Sequence, residues 1–243
     1  NRIIYIMMVL AIGLASCGDE FSETKEIGTL NPGSLQNADG VNFLLTAAYS
    51  SLDGVSNSSG GWEATGDNWW MDAISDDAHK GSTDGDQQTL FLLETFDWTT
   101  GNSYLGSKWR ALYAGANRAN AVISVISQIT DGDFSAQLAE ARFLRGHYYF
   151  ELQKIYGYVA YINEQHFEDV EFNQPNTGSV WGEIEADFEF AANNLPASGD
   201  TGRATSWAAK SYLAKAHLFQ GKWGTALSTF NDVINNGPYS LNA

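Results

Sequence analysis

Residues 60–102, GGWEATGDNWWMDAISDDAHKGSTDGDQQTLFLLETFDWTTGN, gather the side chains best suited to holding a polar, ring-shaped ligand. Trp62, Trp69, Trp70 and Trp98 stand among short polar residues, with Asp72, Asp76, Asp77, Asp84 and Asp86 between them. A sugar shows an apolar C–H face ringed by hydroxyls, so its site needs flat aromatic platforms beside carboxylates and amides. The same tryptophans can also plug the junction between a loop and a helical body, and composition does not choose between the two roles. The aspartates raise a second chemistry, because Ca2+ wants clustered oxygen ligands. The run DGDQQ lacks the spacing of a helix-loop-helix calcium loop, so the acids read as a solvated loop, with no metal expected.

Other chemistry is sparse. His79, His147, His166 and His217 are scattered, with no His-x-x-x-His and no His/Cys pair. His147 and His217 fall inside helical patterns and read as partly buried, hydrogen-bonded imidazoles. There is no Gly-x-Ser-x-Gly, phosphate loop or dinucleotide fingerprint. Asp76-Asp77 and Glu168-Asp169 are carboxylate pairs of the kind a glycosidase uses, but a chain with 29 acidic residues produces such pairs by chance. A net charge of −16 and the absence of any basic stripe argue against nucleic acid and against electrostatic attachment to anionic lipid.

The elements that must position these residues follow from the apolar periodicity. Asp39 is the expected N-cap of a helix carrying Val41, Leu44, Leu45, Ala48 and Leu52. From Gly54 to about Thr100 no helical period is sustained, and an irregular stretch of that length inside a domain is often functional. Helices are then expected from Trp109 to Ile129, from Leu138 to Gly157 and from Val180 to Pro196, with a long insertion between the last two. Thr205 is the expected N-cap of the next helix. In AAKSYLAKAHLFQGKWGTALSTFNDVI the small residues Ala209, Ala216 and Ala226 alternate with Tyr212, Trp223 and Phe230, around a tight turn at Gly221. Small-against-large nesting across a short turn is how tetratricopeptide helix pairs pack, and these aromatics are expected in the core. The fold class is therefore mostly α, with tetratricopeptide-like helical hairpins and an irregular Trp/Asp/Gly-rich loop region.

The first 16 residues read as a lipoprotein signal peptide, with its first residue or residues missing. Arg2 precedes an apolar run, Ile3 to about Leu14, too short to cross a bilayer as a helix. Leu14-Ala15-Ser16-Cys17 is similar to a bacterial lipobox, in which the chain is cut before the cysteine and acyl chains are attached there. Cys17 is the chain's single cysteine, which excludes an internal disulfide, and two or three acyl chains on it would anchor the protein firmly. Residues 17–38 follow as lipidated Cys and acidic tether, GDEFSETKE, which resembles the export signal of surface lipoproteins in Bacteroidetes. The body is residues 39–243.

Taken in order, SDDAHKGSTDGDQQ, WRALYAGANRANAVI, EARFLRGHYYFELQKIYGYVAYI, GEIEADFEFAANNLP, GRATSWAAKSYLAKAHLFQGKW and VINNGPYSL resemble the SusD/RagB family of outer-membrane nutrient-binding lipoproteins. The resemblance implies a surface-facing outer-membrane lipoprotein that binds an oligosaccharide and passes it to a TonB-dependent transporter. It implies no enzyme activity and no cofactor, and membrane attachment through the lipid anchor alone. It also implies that family members are about twice this length, so that this chain corresponds to their N-terminal portion. Starch-binding members have an aromatic and an amide where this chain has Trp98 and Asn102. Trp62, Trp69, Trp70 and Asp72 complete the expected ligand set. The competing expectation is a peptide-binding or purely structural repeat lipoprotein, using an open groove with paired charges.

Overall fold

The computed structural model describes residues 32–54, 69–75, 77–83 and 85–240, and the architecture below is that of the compact unit Leu35–Ala243. Cys17, the signal and most of the tether lie outside the described residues. So do Trp62, Asp76, Asp84 and the side chain of Trp69.

The described helices are α1 (Ala38–Ser50), α2 (Gln88–Glu94), α3 (Ser103–Ser127), α4 (Ser135–Tyr156), α5 (Glu164–Glu168), α6 (Trp181–Asn194), α7 (Ser206–Phe219) and α8 (Trp223–Asn236). A turn of 3-10 helix, Trp69–Ile74, precedes α2, and no strand occurs among the described residues. The packing runs in series: α1 on α3, α3 on α4, α4 on α6, α6 on α7 and α7 on α8. Each helix buries one stripe against its predecessor and another against its successor, as in stacked helical hairpins.

Local chemistry sets the helix ends. α1 begins two residues earlier than Asp39 would place it, because Asn37 is the cap: its Oδ1 accepts from Gly40 N at 3.0 Å. Asp39 sits instead in the first turn, where its charge complements the helix dipole. Thr205 caps α7 as expected, accepting from Ala208 N at 3.2 Å. Gly221 turns α7 into α8 at φ 72°, a left-handed conformation that a Cβ would strain.

The core of the stack is aromatic and close-packed. Gly115 lets α3 approach α4, since a Cβ there would lie 2.5 Å from the Tyr148 ring. Phe143, Phe188 and Tyr212 join α4, α6 and α7, with ring centroids 5.3–5.8 Å apart. Tyr148 donates to Ala48 O at 2.7 Å and Tyr113 donates to Ala160 O at 2.7 Å, so phenols tie α4 to α1 and the 157–163 segment to α3.

An ionic network stitches α3, α4, α5 and α6. Arg145, 4% exposed, grips Asp187 with two parallel bonds, Nε to Oδ2 at 2.7 Å and Nη2 to Oδ1 at 2.8 Å. Its Nη1 donates to Asn120 Oδ1 at 3.1 Å and to Glu164, while Arg142 Nε reaches Asp187 Oδ1 at 2.7 Å. Two guanidinium groups against two carboxylates leave the cluster neutral, the condition for burying charge. Burial opposes ionisation at Arg145, yet the pull of Asp187 dominates and holds the guanidinium charged.

Helix α8 departs from expectation. Of its residues only Ala226 is fully buried, against α7; Trp223 is 66% exposed, Leu227 63% and Ile234 70%. Trp223 is therefore a surface residue, not a core one. Nor is His217 satisfied: its Nδ1 is buried without a hydrogen-bond partner.

Candidate functional site

Between the 3-10 turn and α3 the chain builds a second, smaller core. Trp70, Ala73, Leu90, Leu93 and Tyr104 close on one another, with the Trp70 and Tyr104 rings 5.6 Å apart. Tyr104 belongs to α3, so this core fastens the loop region to the helical stack. Trp70 is fully enclosed and presents no face to a ligand. The expectation that it lines a ligand surface is corrected: it is the plug.

Asn102 is also structural. Its Oδ1 accepts from Tyr104 N at 3.0 Å, capping α3, and its Nδ2 donates to Thr89 O at 2.7 Å. With 6% exposure and both ends engaged, the amide positions the 96–102 segment and does not reach outward.

What reaches outward is an aromatic pair. Helix α2 ends in a Schellman turn: Phe96 N donates to Leu93 O at 3.2 Å and Asp97 N donates to Leu92 O at 2.9 Å. The left-handed position of that turn normally holds Gly, but here it is Phe96, at φ 58°. A bulky residue held there stores strain, and such strain concentrates at functional sites. Its effect is to project the Phe96 ring, 65% exposed, beside Trp98, 40% exposed, at 5.6 Å between centroids.

Phe96 also flanks an open cleft of about 420 Å3, lined with Ser75, Asp77, Ala78, His79 and Glu94. Glu94 is its anchored acid, only 13% exposed. One carboxylate oxygen contacts His79 Nδ1, and the other accepts from the Lys80 backbone N–H at 3.0 Å. Asp77 is exposed, as is Asp72 nearby in sequence. The structure thus brings two carboxylates into one cleft, but both oxygens of Glu94 are occupied and Asp77 is solvated. The described residues contain no group of three metal-ligating side chains.

The arrangement offers a flat aromatic flank beside hydroxyl and carboxylate acceptors in an open, polar cleft. That combination suits a ligand with apolar faces and many hydroxyls. Sequence reasoning found Trp98 and missed Phe96, Asp77, His79 and Glu94 as a group. The signal for Phe96 is faint, since nothing in ETFDW marks a non-glycine left-handed residue.

A family model described as starch-binding, associating with the outer membrane, matches residues 45–218. The chain belongs to this SusD-like family. A SusD-like protein of Bacteroides ovatus is 35% identical over 136 residues, covering 53% of this chain and 25% of its own length. Another, from Formosa agariphila, is 30% identical over 161 residues, covering 63% of this chain and 32% of its own. Among solved structures, a laminarin-binding SusD-like protein superposes with a TM-score of 0.70 at 29% identity, over 81% of this chain and 43% of that one. Surface glycan-binding protein A of Bacteroides fluxus does so with a TM-score of 0.70 at 27% identity, over 85% and 46%. The chain thus spans about a quarter to a third of the curated relatives it matches and under half of the solved ones. No described helix of this SusD-like chain is long and apolar enough to cross a membrane.

Proposed function

We propose that this SusD-like chain is part of a glycan-binding lipoprotein at the outer-membrane surface. It captures an oligosaccharide and delivers it to a TonB-dependent transporter. The observation that carries the reading is the exposed Phe96–Trp98 pair beside the polar cleft, held outward by a strained turn. Family membership supports binding over catalysis, and the laminarin- and glycan-binding relatives support a carbohydrate ligand. In this reading Phe96 and Trp98 stack on the sugar faces, while Ser75 and Asp77 accept from hydroxyls. Asp72, Trp62 and Trp69 are proposed as further contacts from the same loop region. Lipid chains on Cys17 hold the protein to the membrane.

The test is a glycan array probed with the full chain beside Trp98→Ala and Phe96→Ala. The reading expects binding to a defined polysaccharide that weakens about tenfold or more in either variant, the scale of an aromatic anchor. Binding to no glycan, or binding indifferent to both substitutions, defeats it. Labelling with radioactive palmitate, present in the wild type and absent in Cys17→Ala, tests the anchor. Recovery of a TonB-dependent transporter with the lipidated protein tests the delivery step.

A further inference from the structure

The single lysine of the loop region is engaged by its own backbone, and this bears on which glycans the cleft admits. Residues 60–102 hold nine Asp or Glu against one Lys, so Lys80 and His79 are the basic side chains available to meet a negative ligand. Both already have partners, although the His79 side chain stays 84% exposed. The Lys80 ammonium donates to three backbone carbonyls of its own loop, Gly81 O at 3.0 Å, Thr83 O at 2.5 Å and Asp86 O at 2.8 Å. It also lies 5.7 Å from the Phe91 ring centroid. Gly81, Ser82 and Gln87 all take positive φ, so the backbone is folded around that ammonium. The His79 imidazole is turned onto Glu94. Among the described residues, the cleft lining contains Asp77 and Glu94 and neither Lys nor Arg.

From this we infer that the cleft is a charge filter: it takes uncharged glycans and rejects those carrying carboxylate or sulfate groups. The inference rests on the glycan-binding reading and adds the class of glycan. A uronate or sulfate seated against the Phe96–Trp98 pair would meet Asp77 and Glu94, with no Lys or Arg among the described lining residues to offset them. Freeing Lys80 would require abandoning three carbonyl acceptors and unwinding the loop that also holds Glu94 through the Lys80 N–H. Like-charge juxtaposition in a recognition site discriminates strongly between otherwise similar partners. Neutral hydroxyls suffer no such penalty, and they can donate to the exposed Asp77.

Two measurements on the full chain test the filter independently. The first compares laminarin with its carboxymethylated and sulfated derivatives, which keep the backbone and add charge, at low ionic strength. Binding of the derivatives should be about tenfold or more weaker. Asp77→Asn should narrow the gap severalfold. Equal or tighter binding of a charged derivative overturns the inference. The second needs no glycan: fluorescence quenching of the wild type minus that of Trp98→Phe isolates Trp98. Caesium should quench that component severalfold better than iodide, with the preference fading as salt screens the cleft. Equal quenching by the two ions overturns the charge filter. If no glycan binds but caesium is still favoured, the glycan-binding reading falls while the anion-excluding cleft stands.

Discussion

Trp70 and Trp98 lie in one loop region, 28 residues apart, and do opposite work. Trp70 is wholly buried against Tyr104 and helix α2; Trp98 is 40% exposed and stacks on a ring that is itself pushed into solvent. The contrast repeats at larger scale. In the helical stack the buried aromatics hold helices together, and the Arg142–Arg145–Asp187–Glu164 cluster buries charge as a neutral, paired network. In the 69–102 region the aromatics are divided between an anchor and a display. A rigid, plugged base lets the displayed rings be held in a strained turn without the region collapsing on itself.

The comparison can be broken by substitution. Asp187→Ala should produce the largest loss of stability, about 3–5 kcal/mol, because it strands two buried or half-buried guanidinium groups. Denaturant unfolding reads this, and an unchanged midpoint would show that the network does not join α4 to α6. Trp70→Ala should also cost about 3–5 kcal/mol if the loop region unfolds together with the stack. A small early transition confined to the loop region would instead show that its core is separable.

The stack also carries a pH dependence. His147 stacks against Tyr148 and Tyr212, and desolvation there outweighs the opposing pull of Glu151. Lys108, Lys154 and Lys215 push the same way as burial, and the pKa falls from 6.5 to about 4. The unfolded chain therefore binds this proton more readily than the native one. Stability should be fully present above pH ~6.5 and fall by at most ~3 kcal/mol as pH drops toward 4. His147→Phe should flatten the stability profile across that window; a profile parallel to the wild type would remove His147 as its source.

Smaller effects separate anchor from display. Asn102→Ala removes the cap of α3 and leaves Thr89 O without its side-chain donor, a loss of about 1–2 kcal/mol in thermal or chemical unfolding. Trp98→Ala should change stability by about 0.5 kcal/mol or less while weakening the proposed glycan binding about tenfold or more. A stability loss as large as that of Trp70→Ala would show that Trp98 is a plug too. Ile234→Thr, on the exposed face of α8, should likewise stay within about 0.5 kcal/mol.

Much of the helical stack was legible in the sequence, because long helices show several turns of apolar period and carry their own punctuation. Thr205, Gly221 and Gly237 mark ends where the structure puts them. The α2 helix and the Trp69–Ile74 turn were not legible. Seven and six residues complete too few turns to show a period, and their apolar side chains pack on Tyr104 from a different element. The misplacement of Trp223 has a related cause. Periodicity shows that one side of α8 is apolar, but not whether a neighbour covers it.

By itself, the sequence determined the helical class, the order of the hairpins, the acidic loop region and the family blocks, because periodicity, caps and charge are local properties. Only the tertiary structure decided which tryptophan anchors and which is displayed, that Asn102 is a cap, and that Phe96 joins Trp98. It also decided that the Lys80 ammonium is held by the carbonyls of its own loop. Those outcomes depend on contacts among segments distant along the chain, where identical residue types meet different neighbours and different amounts of water.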